Sequence, residues 1–187
     1  PNNRMPAIVD PDGPGGEPIA VFESGAILQY LGRKTGRFYP AGERARVEVE
    51  QWLFWQVGGL GPMGGQANHF RSYAPTVVPD TRYTAYGAIR YTDEVDRLFG
   101  VMETRLGDRD FLAGAYSIAD MACLSWVKSS TRFQPLDEFP NLAAWYGRLM
   151  KRPAVRRGME AGAELRKPMR DEQKKIQQRI EDASRRA

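Results

Sequence analysis

The first forty residues change period once. Ala7, Ile8 and Val9 make a short β-rich run, Asp12-Gly13-Pro14-Gly15-Gly16 supplies turn residues, and Pro18-Ile19-Ala20-Val21-Phe22 reads as a second strand. A β-hairpin with an irregular loop is therefore predicted. Apolar positions then recur at helical spacing, at Ala26, Ile27, Tyr30 and Leu31. Ser24 is the expected N-cap of this helix and Gly36 its stop. A hairpin with one helix is marginal by itself in water, and no later segment reads as a strand. Further strands are expected from a partner or, preferably, from an N-terminal segment ahead of Pro1, in keeping with a first residue that is not Met.

From about Ala41 the pattern is helical almost throughout. Residues 44–57 form a long amphipathic run holding Val47, Trp52, Phe54 and Trp55, which enters a glycine-rich stretch, Gly58-Gly59-Leu60-Gly61-Pro62-Met63-Gly64-Gly65. Each glycine costs a helix up to ~1 kcal/mol. So many together imply either a kink or a close approach of something to the backbone. Residues 74–79 read as a connection and 81–106 as a second long helix, with Tyr83, Ile89, Val95, Leu98, Phe99 and Met102 on its apolar face. Ser117 and Asp120 have the spacing of a capping box. The run that follows, Met121 to Val127, is apolar nearly all round and is the expected buried spine. Loss of Asp120 would then remove a cap, about 0.5–2 kcal/mol. Cys123 inside this run reads as a buried structural thiol. Residues 140–151 make a further helix, beyond which the chain reads as a tail.

With 187 residues, 42% of them hydrophobic, there is material for one large domain or two small ones. No run approaches the ~20 apolar residues of a membrane span, and no signal peptide opens the chain; a cytoplasmic protein is expected. One Cys and one His exclude an intrachain disulfide, a CxxC redox pair and a zinc cluster built from this chain. The net charge of +4 suggests nucleic acid until it is mapped. Residues 151–187 hold 12 Lys/Arg against 6 Asp/Glu, a balance of +6, whereas residues 1–150 hold 15 against 17, a balance of −2. A tail such as KKIQQRIEDASRR mixes acids with its bases and reads as a solvated helix face.

Five segments, NNRMPAIVD, FESGAILQYL, QWLFWQVGGLGPMGGQ, AIRYTDEVDRL and YSIADMA, make the chain resemble the cytosolic glutathione transferase superfamily. Within it they point to the bacterial nu class, the glutathione-dependent disulfide-bond oxidoreductase type. FESGAILQYL and YSIADMA are signals of the superfamily at large, while QWLFWQVGGLGPM is the nu-class signal. The resemblance runs from Pro1 to about Arg152. It implies a mainly α chain. The C-terminal part of a thioredoxin-like α/β domain, hairpin plus helix without its first strands, occupies 1–40. An all-α glutathione-transferase C-terminal domain follows over 41–160, and a basic C-terminal helix or tail over 161–187.

The same resemblance assigns glutathione-binding residues. It implies a cis Met5-Pro6 peptide, which turns the Met5 N–H and C=O outward to pair with the cysteinyl backbone of glutathione; from the residues alone a trans proline on an edge strand is equally open. The Ser24 hydroxyl and the first helical N–H groups suit the γ-glutamyl carboxylate, and Glu23 suits the adjacent ammonium. Without the resemblance the pair reads as an N-cap after an exposed acid. Arg90 aligns with a glutathione-contacting arginine whose planar guanidinium matches a carboxylate; a solvated helical arginine is the alternative.

The glycines near Gly61 either bring the backbone to the substrate cleft or shape a subunit interface, and Gln66 and His69 are rim or surface residues. The thiolate-stabilising residues of the family fall upstream of Pro1, so no catalytic residue is assigned within 1–187. The implied activity is thiol–disulfide exchange by the thiol of bound glutathione, or with glutathione disulfide, on a small disulfide substrate. It needs no metal and runs in a cytoplasmic homodimer without nucleic-acid or membrane partners. The alternatives are a conjugating transferase acting on electrophiles and a non-catalytic glutathione-binding protein.

Overall fold

Two strands form in the computed structural model, which describes residues 2–78, 80–163 and 178. These are β1 (Ala7–Asp10) and β2 (Ile19–Phe22), antiparallel, with Ala7 opposite Phe22 and Asp10 opposite Ile19. Alternation leaves Ala7, Val9, Ala20 and Phe22 exposed and turns Ile8, Asp10, Ile19 and Val21 to a half-buried face. From that face Asp10 accepts hydrogen bonds from Tyr30 Oη and Lys34 Nζ, each at 2.5 Å, and so pins the following helix to the sheet. The Lys34 ammonium, then the Tyr30 hydroxyl, hold the Asp10 carboxyl down at about 2.

That helix is α1 (Ser24–Thr35), and it ends at Gly36 in the left-handed conformation, φ 63°, as the glycine predicts. Its start corrects the sequence reading. Glu23, at φ 69°, is the N-cap, Ser24 is the first helical residue, and no side chain caps the first turn. β2 ends at Phe22, so a single residue must absorb the whole change of direction.

The helical body begins with one interrupted path: α2 (Glu43–Trp55), a π-helical turn (Gln56–Leu60), α3 (Gly61–Asn68), a second π-helical turn (His69–Tyr73) and a 3-10 turn (Ala74–Thr76). Helical structure thus enters the segment expected as a plain connection. The first π turn precedes Pro62, whose missing N–H and bulky ring oppose a regular turn there; Gly61 N–H instead donates five residues back to the Gln56 carbonyl. The glycines fall within and just after this π-helical turn. The close approach expected of them is present, and at Gly61 and Gly64 it is internal. A Cβ on Gly61 would lie 3.2 Å from Trp126 Nε1, and one on Gly64 3.3 Å from Ser130 Oγ, both residues of the helix Ile118–Ser130.

α4 (Arg82–Arg105) contributes Val95, Leu98, Phe99 and Met102 to the core, and α5 (Ile118–Ser130) contributes Ala119, Cys123 and Val127. Both halves of the Ser117–Asp120 capping box form. Asp120 does more than cap. Its buried carboxylate also accepts from the Leu112 N–H at 3.0 Å and from Trp145 Nε1–H at 2.9 Å. Burial pushes its carboxyl up from the ordinary range, and these donors with those of Ser117 work in the opposite direction. α6 (Pro140–Met150) carries Trp145, and its Asn141 and Leu142 N–H groups donate to the Glu103 carboxylate at 3.1 and 2.9 Å.

α7 (Pro153–Glu160) corrects the expectation of a plain tail after residue 151: Pro153 opens a new helix at its first position. Of the tail read over 161–187, all but 161–163 and 178 lie outside the described residues. The order is the expected mainly α one, a hairpin and helix of the thioredoxin-like part followed by an all-helical body. Among the described residues no helix is long and apolar enough to cross a membrane.

Candidate functional site

The register of the hairpin brings two segments together. Because Ala7 pairs with Phe22, the residues just before β1 lie beside those just after β2. A recess of about 140 Å³ results, lined by Met5, Pro6, Glu23 and Ser24 together with Asn2, Arg4 and Phe22. The Met5–Pro6 peptide is cis. Met5 is 96% exposed, and its N–H and C=O enter no hydrogen bond among the described residues.

Glu23 occupies φ 69°, ψ 120°. A non-glycine residue held there stores on the order of 1–3 kcal/mol, a pattern concentrated at binding sites. Asn2 Nδ2 donates to its Oε1 at 3.4 Å. The first hydrogen bond that closes α1 runs from Ile27 N–H to the Glu23 carbonyl. The N–H groups of Ser24, Gly25 and Ala26 therefore point out of the helix end, where the helix dipole favours an anion. The recess thus offers a carboxylate, a guanidinium, a hydroxyl, outward N–H groups and one open backbone edge. This set matches a small peptide carrying an ammonium and carboxylates, the tripeptide that the resemblance implies.

Met5, Pro6, Glu23 and Ser24, all singled out from the sequence, meet here. Arg90 does not join them. It lines a separate groove of about 570 Å³ between the α2 end and α4, with Phe54, Trp55, Gly58 and Gly59, where Arg97 is paired with Glu94 at 2.8 Å. Asn2 and Arg4 were missed. The available signal was the cation one position before Met5, which acquires meaning only with the strand register.

Of the glycines near Gly61, Gly58 and Gly59 line the Arg90 groove, whereas Gly61 packs against Gln56 and Trp126. Gln66 and His69 are surface residues, the His69 ring lying edge-on to Phe70 at 5.2 Å. Cys123 is fully buried, and burial pushes its thiol well above the ordinary range, so it stays protonated and inert. Among the described residues no group of three His, Cys, Asp or Glu side chains is placed to hold a metal ion.

Residues 88–153 match the family described as glutathione S-transferase, C-terminal domain. The disulfide-bond oxidoreductase YfcG of Escherichia coli (strain K12) is 48% identical over 158 residues, which cover 83% of this chain and 71% of the relative. The disulfide-bond oxidoreductase YghU of the same organism is 36% identical over 167 residues, 84% of this chain; here the chain spans only 55% of the relative. The structure is also similar to a glutathione transferase from Pseudomonas putida with one glutathione disulfide bound per subunit. That match has a TM-score of 0.78 and 40% identity, and covers 86% of this chain and 70% of the other.

Proposed function

The chain belongs to the glutathione transferase family of enzymes, and on that premise we propose that it is a glutathione-dependent disulfide-bond reductase of the nu-class type. The observation that carries this reading is the recess where the open Met5 backbone edge adjoins Glu23 and Ser24. In it the Met5 N–H and C=O pair with the cysteinyl backbone of glutathione as a strand would. The Glu23 carboxylate takes the γ-glutamyl ammonium, and the Ser24 hydroxyl with the first-turn N–H groups takes the adjoining carboxylate. Arg4 is the candidate for the glycyl carboxylate, by its guanidinium chemistry. Arg90 offers another guanidinium to a ligand that extends into the α2–α4 groove.

Bound glutathione supplies the thiol, whose thiolate attacks one sulfur of the substrate disulfide, forming a mixed disulfide and releasing the other sulfur as thiolate. The protein's share is to bind and orient, and the thiolate-stabilising group is not assigned within residues 1–187. Disulfide chemistry is favoured over conjugation by the relatives that carry the name disulfide-bond oxidoreductase and by the neighbour that binds glutathione disulfide. The reading divides the chain at about residues 40 and 160 and takes the protein as a cytoplasmic homodimer.

Reduction of a small model disulfide by the full protein with glutathione is the test. Turnover above the glutathione background is expected. Glutathione binding without turnover would leave only a binding or conjugating role, and much faster turnover of an aryl halide would select conjugation.

A further inference from the structure

We propose that Gln29, Tyr39 and Glu50 form a positioning cluster that sets the glutathione recess against the helical body, and so governs the disulfide step rather than glutathione binding; this rests on the function proposed above. The three residues belong to three segments: Gln29 to α1, Tyr39 to the link after it, Glu50 to α2. Gln29 Nε2 donates to Tyr39 Oη at 3.2 Å and to Glu50 Oε1 at 3.4 Å, and Tyr39 Oη donates to the same Glu50 oxygen. Tyr39 is 7% exposed and packs with Val49, Leu53, Ile118 and Ala119 of the helical body. On its other side a Cβ on Gly32 would lie 2.6 Å from Tyr39 Cβ. The ring therefore fixes how near α1 comes, and the hydroxyl fixes how α1 is turned and slid against α2. Burial and the Glu50 acceptor both keep that hydroxyl protonated, as a donor.

Two of the attachments of α1 do different work. Tyr30 and Lys34 tie it to Asp10 on β1, and this holds the recess together, since all its residues lie before β1 or at the β2–α1 joint. The Gln29–Tyr39–Glu50 cluster ties the same helix to α2, the element that also carries Phe54 and Trp55 of the Arg90 groove. Gln29 is five residues beyond Ser24, about 7.5 Å along a stiff helix, so a shift at the cluster moves the recess as a unit. A disulfide that must meet both the bound thiol and the helical body feels that shift; the contacts that glutathione makes within the recess do not. Sub-ångström placement of this kind acts on rate more than on affinity.

The experiment uses the full chain and the variants Tyr39→Phe, Glu50→Ala and Glu50→Gln, measuring the glutathione Kd by calorimetry, disulfide-reduction kcat/KM, and Tm. Tyr39→Phe and Glu50→Ala are expected to lower kcat/KM by about three- to tenfold with the glutathione Kd unchanged within about twofold. Glu50→Gln, which keeps an acceptor oxygen, should stay near wild type. The double variant Tyr39→Phe/Glu50→Ala should lose less than the product of the two single losses, because the Tyr39–Glu50 bond is removed by either. A silent Tyr39→Phe, or a kcat/KM that falls only in step with the Kd or with the folded fraction, overturns the inference. If instead the wild type binds no glutathione or shows no turnover, the proposed function fails and the cluster's role with it.

Discussion

Glu23 combines two tasks that usually fall to different residues. It absorbs the turn from β2 into α1 at a positive φ, and it lines the recess with a carboxylate. The tasks separate by mutation. Glu23→Ala should weaken glutathione binding about tenfold or more, the worth of a charge-assisted hydrogen bond, with circular dichroism unchanged; equal affinity by calorimetry would remove Glu23 from the site. Glu23→Gly should lose the same affinity while matching or exceeding wild-type thermal stability, because glycine relieves the strained backbone. Asp120 is the second decisive residue. From the capping box alone the loss on Asp120→Ala would be that of a cap. Its bonds to Leu112 N–H and Trp145 Nε1–H raise the expected loss to about 3 kcal/mol or more, since both donors would be buried unpaired. Urea denaturation measures the difference.

Among the elements, α1 matters most to the site, and its sheet-side anchor is testable through pH. The Asp10 carboxyl is held at about 2 in the folded protein, below its ordinary 3.8. Ionised Asp10 therefore stabilises the fold above about pH 4, and this contribution is lost as pH falls toward 2. Asp10→Asn should accordingly be less stable than wild type at neutral pH, with the gap closing between pH 4 and 2. A gap that stays constant down to pH 2 would show that the ion pair is not the cause. The elements also show where local patterns suffice. Gly36 and the Ser117–Asp120 box were legible because a left-handed stop and a reciprocal cap are settled within four residues. Ser24 was misjudged as a cap for want of one fact, that β2 runs up to Phe22. α7 was missed because it is only eight residues long, too short for its period to repeat visibly along the sequence.

For the whole molecule, ligand and fold are coupled. Glutathione at a hundredfold excess over its Kd should add about 2.7 kcal/mol to stability, which corresponds to roughly 5–10 °C in Tm for a chain of this size. Thermal melts of wild type and Glu23→Ala, each with and without glutathione, check this; at the same glutathione concentration a tenfold weaker Kd leaves the variant about 1.4 kcal/mol, half the wild-type increment.

The hairpin, the long helices and the buried Cys123 came from order along the chain, because period, caps and turn residues are short-range properties, while Met5–Pro6 and Glu23–Ser24 became candidates through the family resemblance of their segments. Only the folded arrangement decided that Arg4 stands in the recess and Arg90 in another groove, that Gly61 and Gly64 admit Trp126 while Gly58 and Gly59 face that groove, and that Asp120 holds Trp145. Each of those follows from strand register or helix packing between residues distant in sequence, and neither leaves a mark on the local pattern.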